Sequence, residues 1–151
     1  MAIANNHNFR AVSEKLTTSG VVGASRLKGL AEEGYGLVIN LLPDDSEYAV
    51  PDEQGIVEGQ GVEYVAIPVN WEQPTVNDYQ RFTAAMDVAA DKKVHVHCAA
   101  NYRASAFYAV YAQHKGLWSA DEADAFMQTL WNPALFPQWS GLMTGLLEDV
   151  P

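Results

Sequence analysis

The chain has 151 residues, of which 48% are hydrophobic, so it is long enough to bury the core of one ordinary domain. Nineteen acidic residues against nine basic ones give a formal net charge of −10, and no basic run is longer than Lys92-Lys93. This balance argues against nucleic acid, anionic membranes and polyanionic substrates as partners. We therefore predict a single domain over residues 1–151.

The only cysteine of the chain is Cys98. One cysteine excludes an intrachain disulfide and a Cys-rich zinc site, and the four histidines do not form a metal-ligand pattern, so we predict neither a metal nor a cofactor. The first seven residues lack the pattern of a signal peptide, and no apolar stretch approaches 18 residues. We expect a cytoplasmic protein unless a signal peptide has been removed from this sequence.

Apolar runs, capping residues and glycines divide the chain into alternating strands and helices. The predicted strands lie within residues 9–20 and at 37–42, 62–69 and 94–97. The predicted helices lie at 25–33, 52–60, 75–90, 103–116, 119–130 and 138–148. This alternation predicts an α/β fold, a three-layer sandwich in which a mostly parallel central sheet is flanked by helices.

The candidate anion-binding site lies in one segment of the sequence. In this segment an apolar strand, Val94 to His97, leads into a short loop and an alanine-rich helix. We call residues 98–103 of this segment the Cys loop. Backbone N–H groups at a helix start have no intrahelical partners and carry a partial positive charge, so they can stabilise a thiolate and hold phosphate or sulfate. Asn101 suits a left-handed backbone position in such a loop, because asparagine tolerates positive φ better than most residues.

The pattern of His97-Cys98, a short loop and Arg103 at a helix start resembles the phosphate loop of cysteine-dependent phosphatases, in particular the dual-specificity group. That family places five residues between Cys and Arg and a Ser or Thr after the Arg, whereas this chain has four residues there and then Ala104. The shorter loop is similar to that of a bacterial group of phosphatase-like domains, some of which are fused to metallo-β-lactamase-like hydrolases. We favour this group.

The resemblance extends over residues 9–115 and implies a dual-specificity-phosphatase-like fold. Residues 37–42 resemble the early strand of that fold, and residues 64–69 resemble the strand that leads to its general-acid loop. The family has an Asp two positions after this last strand, where this chain has Trp71.

The resemblance also implies a role for each residue of the Cys loop in hydrolysis of a phosphorylated protein or small molecule. Cys98 would attack phosphorus as a thiolate, and Arg103 would bind the phosphate in a two-pronged contact. His97 would support the loop and the thiolate. The backbone N–H groups that would hold the oxygens of a substrate, or of free phosphate or sulfate, belong to Ala99, Ala100, Asn101, Tyr102 and Arg103.

The pattern departs from the family at the general acid, because Trp71 cannot donate a proton to a leaving oxygen. Glu72 is the first candidate, ahead of Asp78 and Asp45, and Trp71 would form an aromatic wall of the pocket. Ser105 lies one position later than the hydroxyl that the family uses in its second step.

The same residues are also compatible with two other functions. The four-residue loop also resembles that of rhodanese-like sulfurtransferases, in which Cys98 would carry a persulfide. Alternatively, the domain binds a phosphorylated partner with little or no turnover, a reading that Trp71, Ala104 and the irregular loop length favour.

Overall fold

The computed structural model describes residues 2–89 and 91–148 and contains a five-stranded sheet between two layers of helices. The strands are β1 (Arg10–Ser13), β2 (Leu16–Ser19), β3 (Tyr35–Asn40), β4 (Glu63–Ala66) and β5 (Lys93–His97). The α-helices are α1 (Ala24–Leu27), α2 (Glu53–Glu58), α3 (Val76–Ala89), α4 (Tyr102–His114), α5 (Ala120–Gln128) and α6 (Pro137–Leu147). Short 3-10 turns cover Ile3–Asn5 and Pro133–Leu135.

The sheet has the strand order β1-β2-β5-β3-β4, and only the β1–β2 pair is antiparallel. The last residues of the four parallel strands pair across the sheet, since Ser19 and Asn40 both pair with His97 and Asn40 also pairs with Ala66. The loops that leave these strands therefore meet at one edge, which is where α/β proteins place their ligands. The predicted α/β fold class is confirmed.

Alternation of side chains along the central strands builds a core on each face of the sheet. In β3, Leu37 and Ile39 belong to one buried cluster, which also holds side chains of α3, α4, α5 and α6. Val38 belongs to a second cluster with Leu27 of α1 and Val57 of α2. The sheet is thus covered on both faces, as the sequence predicted.

Most predicted elements lie within a few residues of the observed ones, and α1 is the largest correction. The helix predicted at 25–33 ends at Leu27 and continues as a series of turns, with several hydrogen bonds of the i→i−3 type. Gly29 lowers the helical preference there, and Gly34, with φ of 89°, ends the segment. The helix predicted to reach residue 90 is observed to Ala89, and residue 90 lies outside the described residues.

Among residues 2–89 and 91–148, no helix combines the length and the apolar character that crossing a membrane requires.

Candidate active site

The Cys loop lies at the edge of the sheet where the parallel strands end. Cys98 follows β5 directly, and its N–H donates to the carbonyl oxygen of Ser19 on β2, at 3.3 Å. Asn101 has φ of 69° and ψ of 10° and immediately precedes α4, so the predicted left-handed position is confirmed. The Cys98 side chain is completely buried.

The loop is fixed from the side of β2. The N–H of Val21 donates to the carbonyl oxygen of Ala99, at 3.0 Å. A Cβ atom on Gly20 would lie 2.5 Å from that same oxygen, so only glycine permits this close approach. The Asn101 amide nitrogen donates to Thr18 Oγ1 and to the carbonyl oxygen of Asn8. These contacts hold the loop in one conformation.

Arg103 lies in the first turn of α4 and faces the segment that follows β4. Its Nε donates to the carbonyl oxygen of Val69, at 2.9 Å, and its guanidinium carbon lies 5.5 Å from the centre of a Trp71 ring. Trp71 is itself held by the C-terminal helix, because its carbonyl oxygen accepts a hydrogen bond from Trp139 Nε1, at 2.9 Å. Four further aromatic rings surround that of Trp71: Tyr102, Trp131, Phe136 and Trp139.

An open cleft of about 420 Å³ adjoins Arg103. Arg103 and Trp71 form part of its wall, and Asp45 contributes a carboxylate. The remaining lining residues are Pro43, Ser46, Pro68 and Asn70. The cleft is therefore the surface from which a ligand can approach the arginine.

His97 is buried beside the loop and is paired with a carboxylate that the sequence analysis did not single out. Its Nε2 lies 2.6 Å from Oε2 of Glu53, the first residue of α2. Both side chains are buried, and Nδ1 of His97 has no hydrogen-bond partner among the described residues. The predicted supporting residue thus depends on a partner 44 positions earlier in the chain.

His95 belongs to a second buried network, whose hydrogen-bond directions can be worked out. Ser19 donates its single hydroxyl proton to the carbonyl oxygen of Gly20, so His95 Nε2 must donate to Ser19 Oγ. His95 Nδ1 is then an acceptor for Thr17 Oγ1, which accepts in turn from Tyr35. Burial lowers the pKa of His95 well below 6.5, in agreement with this neutral form.

Two of the predicted candidates for the general acid, Glu72 and Asp78, do not line the cleft. Glu72 is exposed, does not line the cleft, and its N–H is bound by the side chain of Asn70. Asp78 is engaged in capping α3, where it accepts from the Thr75 N–H.

Ser105 is buried, and both of its hydrogen-bonding roles are already taken. Its hydroxyl donates to the carbonyl oxygen of Tyr102 and accepts from Trp131 Nε1, each at 3.0 Å. It therefore ties α4 to the aromatic cluster behind the cleft.

The sequence analysis missed three residues that shape the site: Glu53, Gly20 and Trp139. Each is brought to the loop by packing between distant parts of the chain, and no local pattern marks its role. The sequence predicts that a strand ends near Gly20. It does not predict that this strand end contacts the Cys loop.

The sheet order, the loop after β5 and the arginine at the start of α4 define a fold of the cysteine-dependent phosphatase class. The core catalytic domain of the PP-IP phosphatase SIW14 from S. cerevisiae has a TM-score of 0.72 at 13% identity, over 97% of this chain and 86% of its own. TpbA from P. aeruginosa has a TM-score of 0.72 at 18% identity, over 95% of this chain and 90% of its own. These likenesses show the dual-specificity-phosphatase-like fold.

Residues 8–115 match the family described as beta-lactamase hydrolase-like protein, phosphatase-like domain, and the chain belongs to this family. A candidate phosphatase (DUF442) from Shewanella putrefaciens CN-32 shares 36% identity, with a TM-score of 0.90 over 97% of this chain and 92% of its own. No curated protein sequence matches significantly. The predicted resemblance is confirmed. Membership of this family favours the hypothesis of a phosphatase over that of a sulfurtransferase.

Proposed function

We propose that this protein hydrolyses phosphate monoesters through a cysteinyl-phosphate intermediate. The observation that carries the proposal is the fixed loop, which has Cys98 at one end and Arg103 at the other. Sγ of Cys98 bonds to phosphorus while the ester P–O bond breaks, and the leaving oxygen takes a proton from a carboxylic acid. Water then attacks phosphorus and gives a proton to the carboxylate formed in the first step, the S–P bond breaks, and inorganic phosphate and the thiolate are released.

The backbone of the loop supplies the donors for the phosphate oxygens in this proposal. No cis peptide bond occurs among the described residues, and the N–H of a trans peptide points opposite to its carbonyl. Because the Ala99 carbonyl points at Val21, the Ala100 N–H points away from β2. We assign this group and the N–H groups of Ala99, Asn101, Tyr102 and Arg103 to the phosphate, since preformed donors stabilise the charge of a transition state without reorganising.

In the proposal, Arg103 first moves to open access to Cys98 and then binds the phosphate. Cys98 has no exposed surface and does not line the cleft, so a phosphate reaches its sulfur only after a neighbouring side chain moves. We infer that Arg103, which is held by one hydrogen bond to Val69 and by the ring of Trp71, is the side chain that moves. We infer that its guanidinium exchanges these contacts for a two-pronged contact with the phosphate.

Two carboxylic acids are candidates for the proton donor. Glu72 is the residue predicted from the sequence, but it is exposed and absent from the cleft wall. Asp45 lines the cleft together with Arg103. We therefore propose Asp45 as the donor and retain Glu72 as the comparison.

A second function, binding of a phosphorylated partner without turnover, is favoured by one observation: the candidate nucleophile Cys98 is completely buried. In that case the loop would serve as a phosphate receptor.

The test is release of inorganic phosphate from p-nitrophenyl phosphate by the intact protein. We expect hydrolysis that Cys98→Ser abolishes, a covalent phosphate on Cys98 detected by mass spectrometry after acid quench, and competitive inhibition by vanadate. Arg103→Lys should weaken vanadate binding strongly, because a point charge cannot replace the planar contact. Vanadate binding without hydrolysis would support the receptor function, and sulfur transfer from thiosulfate to Cys98 in a parallel assay would overturn the phosphatase proposal.

A further inference from the structure

We infer that the phosphate ester accepted at the Cys loop carries a positive charge in its organic part, such as an amine or a basic peptide side chain close to the phosphate. This inference rests on the proposed function and narrows its substrate class. It is based on the charges that line the cleft and the cavity next to it.

Positive side chains are scarce along the walls of the cleft and of the adjoining cavity. The chain has nine lysines and arginines, all within the described residues, and Arg103 alone among them lines the cleft or the adjoining cavity. Lys92 and Lys93 lie at the start of β5, at the opposite edge of the sheet. Arg10 is bound to Thr129 at the end of α5. Arg103 and the loop dipoles can therefore neutralise one phosphate, and no lining cation is left for a second anionic group.

Carboxylates, by contrast, line both the cleft and the cavity next to it. Asp45 lines the cleft, and a second cavity of about 420 Å³ meets the cleft at Ser46. Three further carboxylates line that cavity: Asp44, Asp52 and Glu53. A ligand that extends from Arg103 past Ser46 meets several negative charges, which attract a cationic group and repel an anionic one.

A half-buried phenol in the second cavity lies close to these charges. Tyr64 lines the cavity, and its hydroxyl accepts a hydrogen bond from the Asn40 amide. Burial raises the pKa of Tyr64 to about 12, and the negative charges of Glu53 and Asp44 contribute to the rise. The same negative potential acts on any ligand group that enters the cavity.

The experiment measures equilibrium binding to the Cys98→Ser protein, so that turnover does not enter. One pair of probes consists of phosphotyrosine peptides of equal length, flanked by lysines in one peptide and by glutamates in the other. A second pair consists of phosphoethanolamine and phosphoglycolate, which carry tails of opposite charge. We expect the cationic member of at least one pair to bind about tenfold more tightly at low salt, with a preference that declines as salt rises.

The paired variant Asp44→Asn/Asp52→Asn, which leaves the proposed proton donor in place, should reduce this preference to less than about threefold. Both side chains are exposed, so the substitutions leave the core intact. Glu32→Gln is the matched control, because Glu32 is exposed and precedes β3, at the edge of the sheet opposite the Cys loop. The control should keep the full preference.

The outcomes separate the inference from the proposed function. A preference in the peptide pair alone identifies a basic phosphoprotein segment, and a preference in the small pair alone identifies a small amine ester. Equal affinity within both pairs, tighter binding of the anionic members, or no binding of any probe overturns the inference. Hydrolysis of p-nitrophenyl phosphate, which has an uncharged organic part, tests the proposed function independently of all these results.

Discussion

Replacement of Glu53 by alanine should destabilise the protein far more than the loss of one ion pair at the surface. The Glu53 carboxylate accepts from His97 Nε2 at 2.6 Å, and the side chains retain only 5% and 2% of their exposure. Nδ1 of His97 has no hydrogen-bond partner within residues 2–89 and 91–148, so Nε2 makes the only hydrogen bond of this ring among them. The substitution therefore leaves a buried imidazole without any hydrogen bond, directly before Cys98.

The expected magnitude follows from this burial. Leaving a buried hydrogen-bonding group without its partner costs up to about 3 kcal/mol. For a chain of this length, such a loss lowers the midpoint of thermal unfolding by several degrees, up to roughly 10 °C. Glu53→Gln keeps an oxygen that can accept from His97 and should cost only about 1 kcal/mol.

The assay is urea unfolding at neutral pH, followed by tryptophan fluorescence. Glu63→Ala is the matched control, since it removes the carboxylate of an exposed pair with Lys92 and should cost about 0–1 kcal/mol. If Glu53→Ala costs no more than Glu63→Ala, the pair does not hold His97, and the assignment of His97 as support for the Cys loop loses its basis.

Three further predictions concern the loop, the buried histidine and the proton donor. Gly20→Ala should weaken vanadate binding at least about tenfold, because its Cβ would lie 2.5 Å from a carbonyl oxygen of the Cys loop; Gly23→Ala, which meets no atom within 4 Å, should bind vanadate normally. Burial lowers the pKa of His95, so the unfolded chain takes up a proton that the folded protein excludes. The contribution of His95 to the unfolding free energy should be constant between about pH 6.5 and pH 9 and should fall by up to about 1.4 kcal/mol per pH unit below pH 6.5, whereas a flat acid limb would contradict the neutral network. Asp45→Asn should lower kcat/KM on alkyl phosphates about 10²-fold and spare p-nitrophenyl phosphate, while a larger effect of Glu72→Gln would return the proton donor to the residue predicted from the sequence.

The elements around the Cys loop could be predicted from the sequence because their signals are local. The apolar run of β5, the alanines of α4 and the tolerance of Asn101 for positive φ all lie within about 20 residues. The capping box of Ser119 and Glu122 at the start of α5, within the helix predicted at 119–130, is an equally local signal.

The supporting contacts could not be predicted, because they join residues far apart in sequence. Glu53 meets His97 across 44 positions, and Trp139 meets Trp71 across 68. Such pairs depend on how helices pack on the sheet, which a single sequence does not encode in any short pattern. Glu72 was predicted as the acid because it follows Trp71 in sequence. The loop after β3 also forms part of the cleft wall and contributes Asp45 to it.

The anchoring of Trp71 by Trp139 divides the site between two parts of the chain. The Cys loop lies within residues 8–115, which the family shares, whereas Trp131, Phe136 and Trp139 lie beyond that span. Substitutions in α6 can therefore reshape the wall that faces the organic part of a ligand without altering a single residue of the loop. Under the proposed function, relatives with the same loop and a different C-terminal helix would be expected to accept different phosphate esters, so α6 is the place to engineer selectivity.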